Sequence, residues 1–228
     1  MSLNTSIHTE VTVTNHTALY RITFPSNETT AAYKNQTLLP YNPLILVDLT
    51  DLPDSRSAAS IEVNPETGRI SGSGTFSPSF GIGEYELHFC ADFSGAAVRD
   101  TGVFQNNRAG SQVKTLSTSA VDGNDPPLPA GAWTQFNAPA NNQILVRVGV
   151  SFMGVSQACH NAETEIPDFG FQKVRDAAEE AWRKKLSVVD VDVTGVSDEL
   201  QTVFWSGLYR SMISPQVKKL IFRVDGRS

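Results

Sequence analysis

The stretch YELHFCADF, residues 85–93, places three side chains that could do chemistry on one face of a predicted strand. Because side chains alternate along a strand, His88, Cys90 and Asp92 point to the same side. Such a set could form a nucleophile with its base, or part of a metal site. Side chains two residues apart on a strand lie roughly 7 Å apart, too far for a base to activate the thiol directly. We therefore interpret them as the second face of a sheet that contains a buried cysteine.

Several pairs of carboxylates are close enough in sequence to be considered for acid and base catalysis. Hydrolysis of a glycosidic bond uses two carboxyl groups about 5 to 10 Å apart. Charged side chains are normally exposed, so we interpret each pair as a solvated surface. The segment Asp122-Gly-Asn-Asp lacks the ligand spacing of an EF-hand loop and predicts a turn. The pairs are Glu84 with Glu86, Glu163 with Glu165 or Asp168, Glu179 with Glu180, and Asp190 with Asp192.

Composition excludes several function classes. The chain has 228 residues and a net charge of -6, from 18 Lys and Arg against 24 Asp and Glu. It therefore lacks the basic field that holds a nucleic-acid backbone. No apolar run is long enough to cross a membrane, and the first 25 residues lack the apolar core of a signal peptide. Sequence signatures of serine hydrolases, zinc proteases and P-loop proteins do not occur.

Four Asn-x-Ser/Thr sequons lie near the amino terminus and predict the surface of a secreted glycoprotein. Two cysteines, Cys90 and Cys159, are compatible with secretion, either as a disulfide or as two buried thiols. The predicted glycosylation sites are Asn4, Asn15, Asn27 and Asn35.

Up to about Met153 the sequence is typical of β-structure. Short β-branched and aromatic runs are separated by turn signals such as NPETG, with no helical period between them. This pattern predicts an antiparallel β-sandwich rather than a parallel α/β sheet. We interpret DGNDPPLPAGAW, residues 122–133, as a loop. The predicted strands cover residues 10–14, 18–24, 44–50, 68–77, 85–93 and 143–152.

After Met153 the periodicity becomes helical. A short helix is predicted over SQACHNAETEI, ended by Pro167, and a longer one over FQKVRDAAEEAWRKKL, residues 171–186, which Asp168 precedes. SVVDVDV, residues 187–193, alternates as a short strand would. Ser197 is then a suitable N-cap for a third helix, with Asp198 and Glu199 in its first turn. That helix is apolar on two faces and therefore predicts burial on both.

Four segments together resemble the amino-terminal domain of glycoside hydrolase family 92, the calcium-dependent exo-α-mannosidases. They are GRISGSGTFSPSFG, FCADFSG, LVRVGVSFMGVSQACHNAETEIPDFGFQKVRDAAEEAWRKKL and VFWSGLYRSMISP. The resemblance implies a mainly β fold, a carbohydrate-binding or mutarotase-like sandwich, followed by linker helices and an (α/α)6 barrel. It also implies cleavage of α-mannosides with inversion, which needs a carboxylic acid and a carboxylate base. The resemblance further implies that the acid, the base and the calcium ligands belong to the barrel, and that the sandwich face helps to form the sugar site. No position of this chain matches those residues of the family, so no catalytic, sugar-binding or metal-binding role transfers to a residue here.

The resemblance predicts four regions. Residues 1–153 form the sandwich without its amino-terminal strands, and residues 154–196 form a helical linker with one short strand. Residues 197–216 form the first helix of the barrel, and residues 217–228 form an unrelated tail. We therefore expect part of a secreted α-mannosidase-like hydrolase that is inactive alone, binds no calcium itself and leaves helix Ser197 to Ile213 without its packing partner.

Two alternatives remain open at this point. The sandwich could be a stand-alone carbohydrate-binding or interaction module, for which Trp133 and Phe136 in the predicted loop PAGAWTQF are the aromatic candidates. Alternatively, a separate chain could supply the barrel and complete the enzyme by assembly.

Overall fold

The computed structural model describes residues 7–25, 42–50, 55–79, 82–119 and 127–213. Within these ranges eleven strands precede three helices. The strands are β1 His8–Val13, β2 Thr17–Thr23, β3 Leu44–Asp48, β4 Arg56–Val63, β5 Ile70–Phe76, β6 Tyr85–Ser94, β7 Val98–Gln105, β8 Arg108–Gly110, β9 Thr115–Ser119, β10 Ala130–Phe136 and β11 Gln143–Ser151. The helices are α1 Val155–Glu165, α2 Phe171–Leu186 and α3 Asp198–Ile213.

The strands form two sheets in which neighbouring strands are antiparallel. The larger sheet has the order β1-β2-β11-β6-β5-β4-β9, and the smaller one has the order β3-β10-β7-β8. Side chains alternate between the faces of a strand, so each sheet turns one apolar face towards the other. The prediction of an antiparallel β-sandwich is confirmed.

The core lies between the sheets. Ile70 and Ala91 of the larger sheet pack in one cluster with Ala132 of the smaller sheet, and all three are fully buried. A second cluster joins Phe136 to Ile144, and the ring of Phe136 lies 5.2 Å from that of Phe93. Ala91 and Phe93 therefore point into the core, and the intervening Cys90 and Asp92 point to the opposite face, as the alternation predicts.

Two details of the predicted elements are wrong. The predicted loop 122–133 contains the start of β10, because Ala130 and Gly131 carry little signal of a strand. Small residues are needed there, since a Cβ on Gly131 would lie 2.1 Å from the carbonyl oxygen of Val47. Residues 187–193 form no strand, although they alternate; alternation produces a strand only where another strand is available for pairing.

The helices begin and end close to where the sequence predicts. α1 ends at Glu165, before Pro167, and α2 covers the predicted range. Asp168 accepts hydrogen bonds from the Gly170 amide at 3.2 Å and from Lys173 at 3.3 Å, which lower the pKa of its carboxyl. No helix in the described ranges is long and apolar enough to cross a membrane.

The chain divides into two compact units, Met1–Ala178 and Glu179–Ser228. In the second unit the ring of Tyr209 lies 4.6 Å from that of Trp182. No residue of α3 is buried, and Phe204 and Tyr209 are 44% and 40% exposed. The burial on both faces that the sequence pattern predicts for this helix does not occur among the described residues, and the predicted tail 217–228 lies outside them.

Candidate functional site

The face of β6 that carries His88, Cys90 and Asp92 is covered by α1. Cys90, which is fully buried, forms a disulfide with Cys159 of that helix, with the two Cα atoms 5.0 Å apart. This bond settles the alternative that the sequence left open between a disulfide and two thiols. It also removes Cys90 as a nucleophile or metal ligand, because both roles need a free thiolate.

The backbone of α1 touches the sheet directly beside the disulfide. Gly149 of β11 pairs with Cys90 across the ladder. A Cβ atom at position 149 would lie 2.2 Å from the Ala158 carbonyl oxygen and 2.8 Å from the Ala162 amide nitrogen. Ala158 and Ala162 are themselves fully buried. Glycine on the strand and alanines on the helix are therefore what allow this close approach.

Replacing Gly149 by alanine should destabilise the fold by about 1–3 kcal/mol, because the added methyl group forces α1 away from the sheet. Gly110→Ala is the matched control, since a Cβ at Gly110 meets no atom within 4 Å. Urea unfolding followed by circular dichroism would measure both. Equal midpoints for the two variants would contradict the close contact.

Asp92 is the centre of an ion-pair network under α1. Its Oδ1 accepts a hydrogen bond from Arg69 Nε at 2.6 Å, and its Oδ2 accepts one from Arg147 Nε at 2.9 Å. Asp92 and Arg147 are each only 8% exposed. The hydrogen bond to Asp92, and a second one to Glu163 at 2.6 Å, raise the pKa of Arg69. The carboxylate is thus fully engaged with two guanidinium groups.

Arg147 extends this network to the segment that follows α1. Its Nη1 donates a hydrogen bond of 2.7 Å to the Ile166 carbonyl oxygen. Its guanidinium also lies over the Phe169 ring, 4.6 Å from the centroid. A buried arginine therefore ties β11 to β6 and to the connection between α1 and α2.

Glu165 holds the end of α1 against the β1–β2 turn. Its carboxylate accepts hydrogen bonds from the Thr14 hydroxyl, from the His16 amide at 2.9 Å and from His16 Nδ1 at 2.7 Å. Burial by itself would raise the pKa of Glu165, but these hydrogen bonds outweigh it and the pKa is lowered. Our interpretation of Glu165 as a solvated carboxylate is wrong, because the turn partly covers it.

The other carboxylates of the predicted pairs lie on the surface, as the sequence predicts. Glu163 is exposed but pairs with Arg69, so it belongs to the network around Asp92. The rest are exposed, which confirms the interpretation of a solvated surface; they are Glu84, Glu86, Glu179, Glu180, Asp190 and Asp192. The acidic side chains of α1 thus position a helix on a sheet, which is a structural role.

The described residues contain no cluster of metal-binding side chains. Across the described ranges, no three His, Cys, Asp or Glu side chains come together in a group that could hold a metal ion. Asp122 and its neighbours lie outside the described residues.

The two aromatic candidates for sugar binding do not share a surface. Phe136 is 1% exposed and belongs to the core. Trp133 lies on the outer face of the smaller sheet, in a groove of about 470 Å³ that it shares with Leu44, Leu46 and Phe104. The predicted aromatic cluster is therefore wrong, because reading β10 as a loop hid the alternation of its side chains.

Comparison with known proteins identifies the family. The model of the glycosyl hydrolase family 92 N-terminal domain matches residues 1–151, and that of the family 92 catalytic domain matches residues 157–222. The chain belongs to glycoside hydrolase family 92. The boundaries that we place at residues 153 and 196 stay predictions.

Individual family 92 relatives are much longer than this chain. A protein of Arthroderma benhamiae named uncharacterized secreted glycosidase is 48% identical over 220 residues, which are 95% of this chain and 28% of that protein. The inverting mannosidase of Bacteroides thetaiotaomicron is 22% identical, with a TM-score of 0.69, over 92% of this chain and 24% of its own. A second α-mannosidase of that organism is 17% identical, with a TM-score of 0.68. The chain spans about a quarter of the relatives it matches, and the structural likenesses show the fold.

The family 92 run SQACHNAETEIPDF now has a physical explanation. Ala158 and Ala162 permit contact with Gly149, and Asn161 Nδ2 donates a hydrogen bond of 2.9 Å to the Val150 carbonyl oxygen. Glu163 reaches Arg69, and Glu165 reaches the β1–β2 turn. Sequence reasoning missed Arg69, Arg147 and His16, although an arginine inside the apolar strand LVRVGV indicates a buried charge that needs a partner.

Proposed function

We propose that this chain is the amino-terminal sandwich and helical junction of a family 92 enzyme that cleaves α-mannosides, and that it has no hydrolytic activity by itself. The absence of hydrolytic activity is inferred from the hydrogen-bond partners of the two α1 carboxylates. Glu163 and Glu165 are engaged by Arg69 and His16 rather than facing each other across an open site. An inverting glycosidase needs an acid and a base about 6.5 to 9.5 Å apart with a water between them.

The substrate and the cofactor belong to the complete enzyme in this proposal. An α-mannoside glycan is the substrate that the mannosidase structures suggest, and those structures extend over about four times the length of this fold. We assign the calcium of the family to residues of the complete enzyme and not to this chain. In this proposal the chain contributes its sandwich and the helices α1 to α3 to that enzyme.

The exposed face of α3 supports that role. Leu200 and Val203 are 60% and 67% exposed, and Ile213 is 51% exposed. Large apolar side chains grouped on one helix usually mark a contact surface. Because the family 92 catalytic-domain model includes α3, we propose that further helices of that domain are its packing partner.

Secretion is also part of the proposal. The relative from Arthroderma benhamiae is a secreted glycosidase. Disulfides such as Cys90–Cys159 form and persist in oxidising compartments and are rare in the cytosol. The bond therefore supports an extracellular enzyme.

Purified residues 1–228 should show no release of the aryl group from an aryl α-mannoside above the blank, with or without added calcium. The inverting mannosidase of Bacteroides thetaiotaomicron serves as the positive control under the same conditions. Cooperative unfolding and an intact disulfide must be shown for the same sample, so that inactivity is not a consequence of misfolding. Turnover that rises with the concentration of folded chain would refute the proposal.

A further inference from the structure

The turn between β1 and β2 contains the sequon Asn15-His16-Thr17. The turn is tight, since the Thr14 amide donates a hydrogen bond of 2.8 Å to the Thr17 carbonyl oxygen. Asn15 is exposed at its tip, and the side chain of His16 is 59% exposed. Asn4, Asn27 and Asn35 lie outside the described residues, so Asn15 is the sequon whose surroundings can be analysed.

Thr17 is an unexpected residue for its position. It is 3% exposed, and its Oγ1 has no hydrogen-bond partner among the described residues. A buried hydroxyl without a partner reduces stability, and an apolar side chain of the same shape avoids that cost. Valine at position 17 should therefore give a folded protein that is at least as stable. The hydroxyl needs another explanation, and the sequon supplies one, because the acceptor motif requires Ser or Thr two residues after Asn.

We propose that Asn15 carries an N-linked oligosaccharide and that the Thr17 hydroxyl is required for its transfer, before β2 enters the sheet. The donor is a lipid-linked oligosaccharyl diphosphate. The Asn15 side-chain nitrogen forms a bond to the anomeric carbon of the donor and loses one proton. The bond between that carbon and the diphosphate oxygen breaks, and the lipid diphosphate leaves with the electron pair. No oxidant or reductant is needed.

Two further observations agree with this site. The Cys90–Cys159 disulfide places folding in the oxidising compartment where such transfer occurs. The neighbours of Asn15 are already engaged, because Thr14 and His16 bind Glu165 of α1. The turn is therefore held against α1 by the residues that flank Asn15, and Asn15 itself is exposed.

The test is expression of residues 1–228 in yeast, directed into the secretory pathway by an added leader. Both cell-associated and secreted protein are digested, and the peptide that contains residue 15 is analysed by mass spectrometry before and after enzymatic removal of N-glycans. We expect the glycan in the unchanged chain and in Thr17→Ser. We expect complete loss in Asn15→Gln and Thr17→Val, with the midpoint of thermal unfolding of bacterially produced Thr17→Val unchanged or raised by about 2–4 °C.

Thr118→Val is the matched control, because Thr118 also has a buried hydroxyl without a partner among the described residues but belongs to no sequon. It should have a similar effect on the unfolding midpoint and leave the glycan on Asn15. An unmodified Asn15 peptide in the unchanged chain overturns the proposal, whether or not the other sequons are occupied. A glycan that persists in Thr17→Val overturns the role given to the hydroxyl.

Discussion

Replacing both Cys90 and Cys159 by alanine should lower the free energy of unfolding by about 4 kcal/mol. The two cysteines are separated by 69 residues, and opening a loop of that length restores a large conformational entropy to the unfolded chain. The bond also fixes α1 to β6 beside the close contact with Gly149. We therefore expect the variant to lose protection of the α1 amides as well as global stability.

Chemical denaturation of the oxidised parent and of the double-alanine variant measures the effect. The matched control is Ser60→Ala with Ser73→Ala, a double substitution across paired strands of the same sheet that breaks only a weak contact of 3.4 Å. This control should change stability by less than about 0.5 kcal/mol. A cysteine-free variant as stable as the control would show that the disulfide does not hold α1.

Much of the fold could be predicted because its signals are local. The alternation in YELHFCADF assigned each side chain of β6 to the correct face, and Pro167 with Asp168 marked the break before α2. The pattern of short strands separated by turns predicted the sandwich, and the resemblance to family 92 implied the same arrangement followed by linker helices. Each inference used residues that are neighbours in sequence.

The packing of α1 on the larger sheet could not be predicted, because the residues that make these contacts are distant in sequence. Asp92 binds Arg69, which directly precedes β5, and Arg147 of β11. Glu165 binds His16 in the β1–β2 turn, 149 residues away in sequence. One sequence shows that Cys90 and Cys159 can pair, but it does not show that α1 lies over β6. Gly149 gave no signal either, because the need for glycine comes from the helix that packs on it.

Replacing Asp92 by alanine should destabilise the protein by about 3–5 kcal/mol. The substitution leaves the buried guanidinium of Arg147 without its carboxylate, and a buried charge that has lost its partner is costly. Arg69 is less affected, since its side chain is 34% exposed and keeps Glu163 as a partner. The penalty therefore falls mainly on Arg147 and on the helix connection that it contacts through Ile166.

The matched control is Glu10→Ala, which breaks the pair between Glu10 and Arg21 on β1 and β2. That pair is bidentate, with both hydrogen bonds at 2.6 Å, and its side chains are more exposed, 33% for Glu10 and 25% for Arg21. Water can solvate Arg21 after the substitution, so we expect a much smaller loss than for Asp92→Ala. Denaturant unfolding of both variants compares the loss of a buried carboxylate–guanidinium pair with the loss of a more exposed one. Equal losses would mean that burial does not set the strength of the network around Asp92.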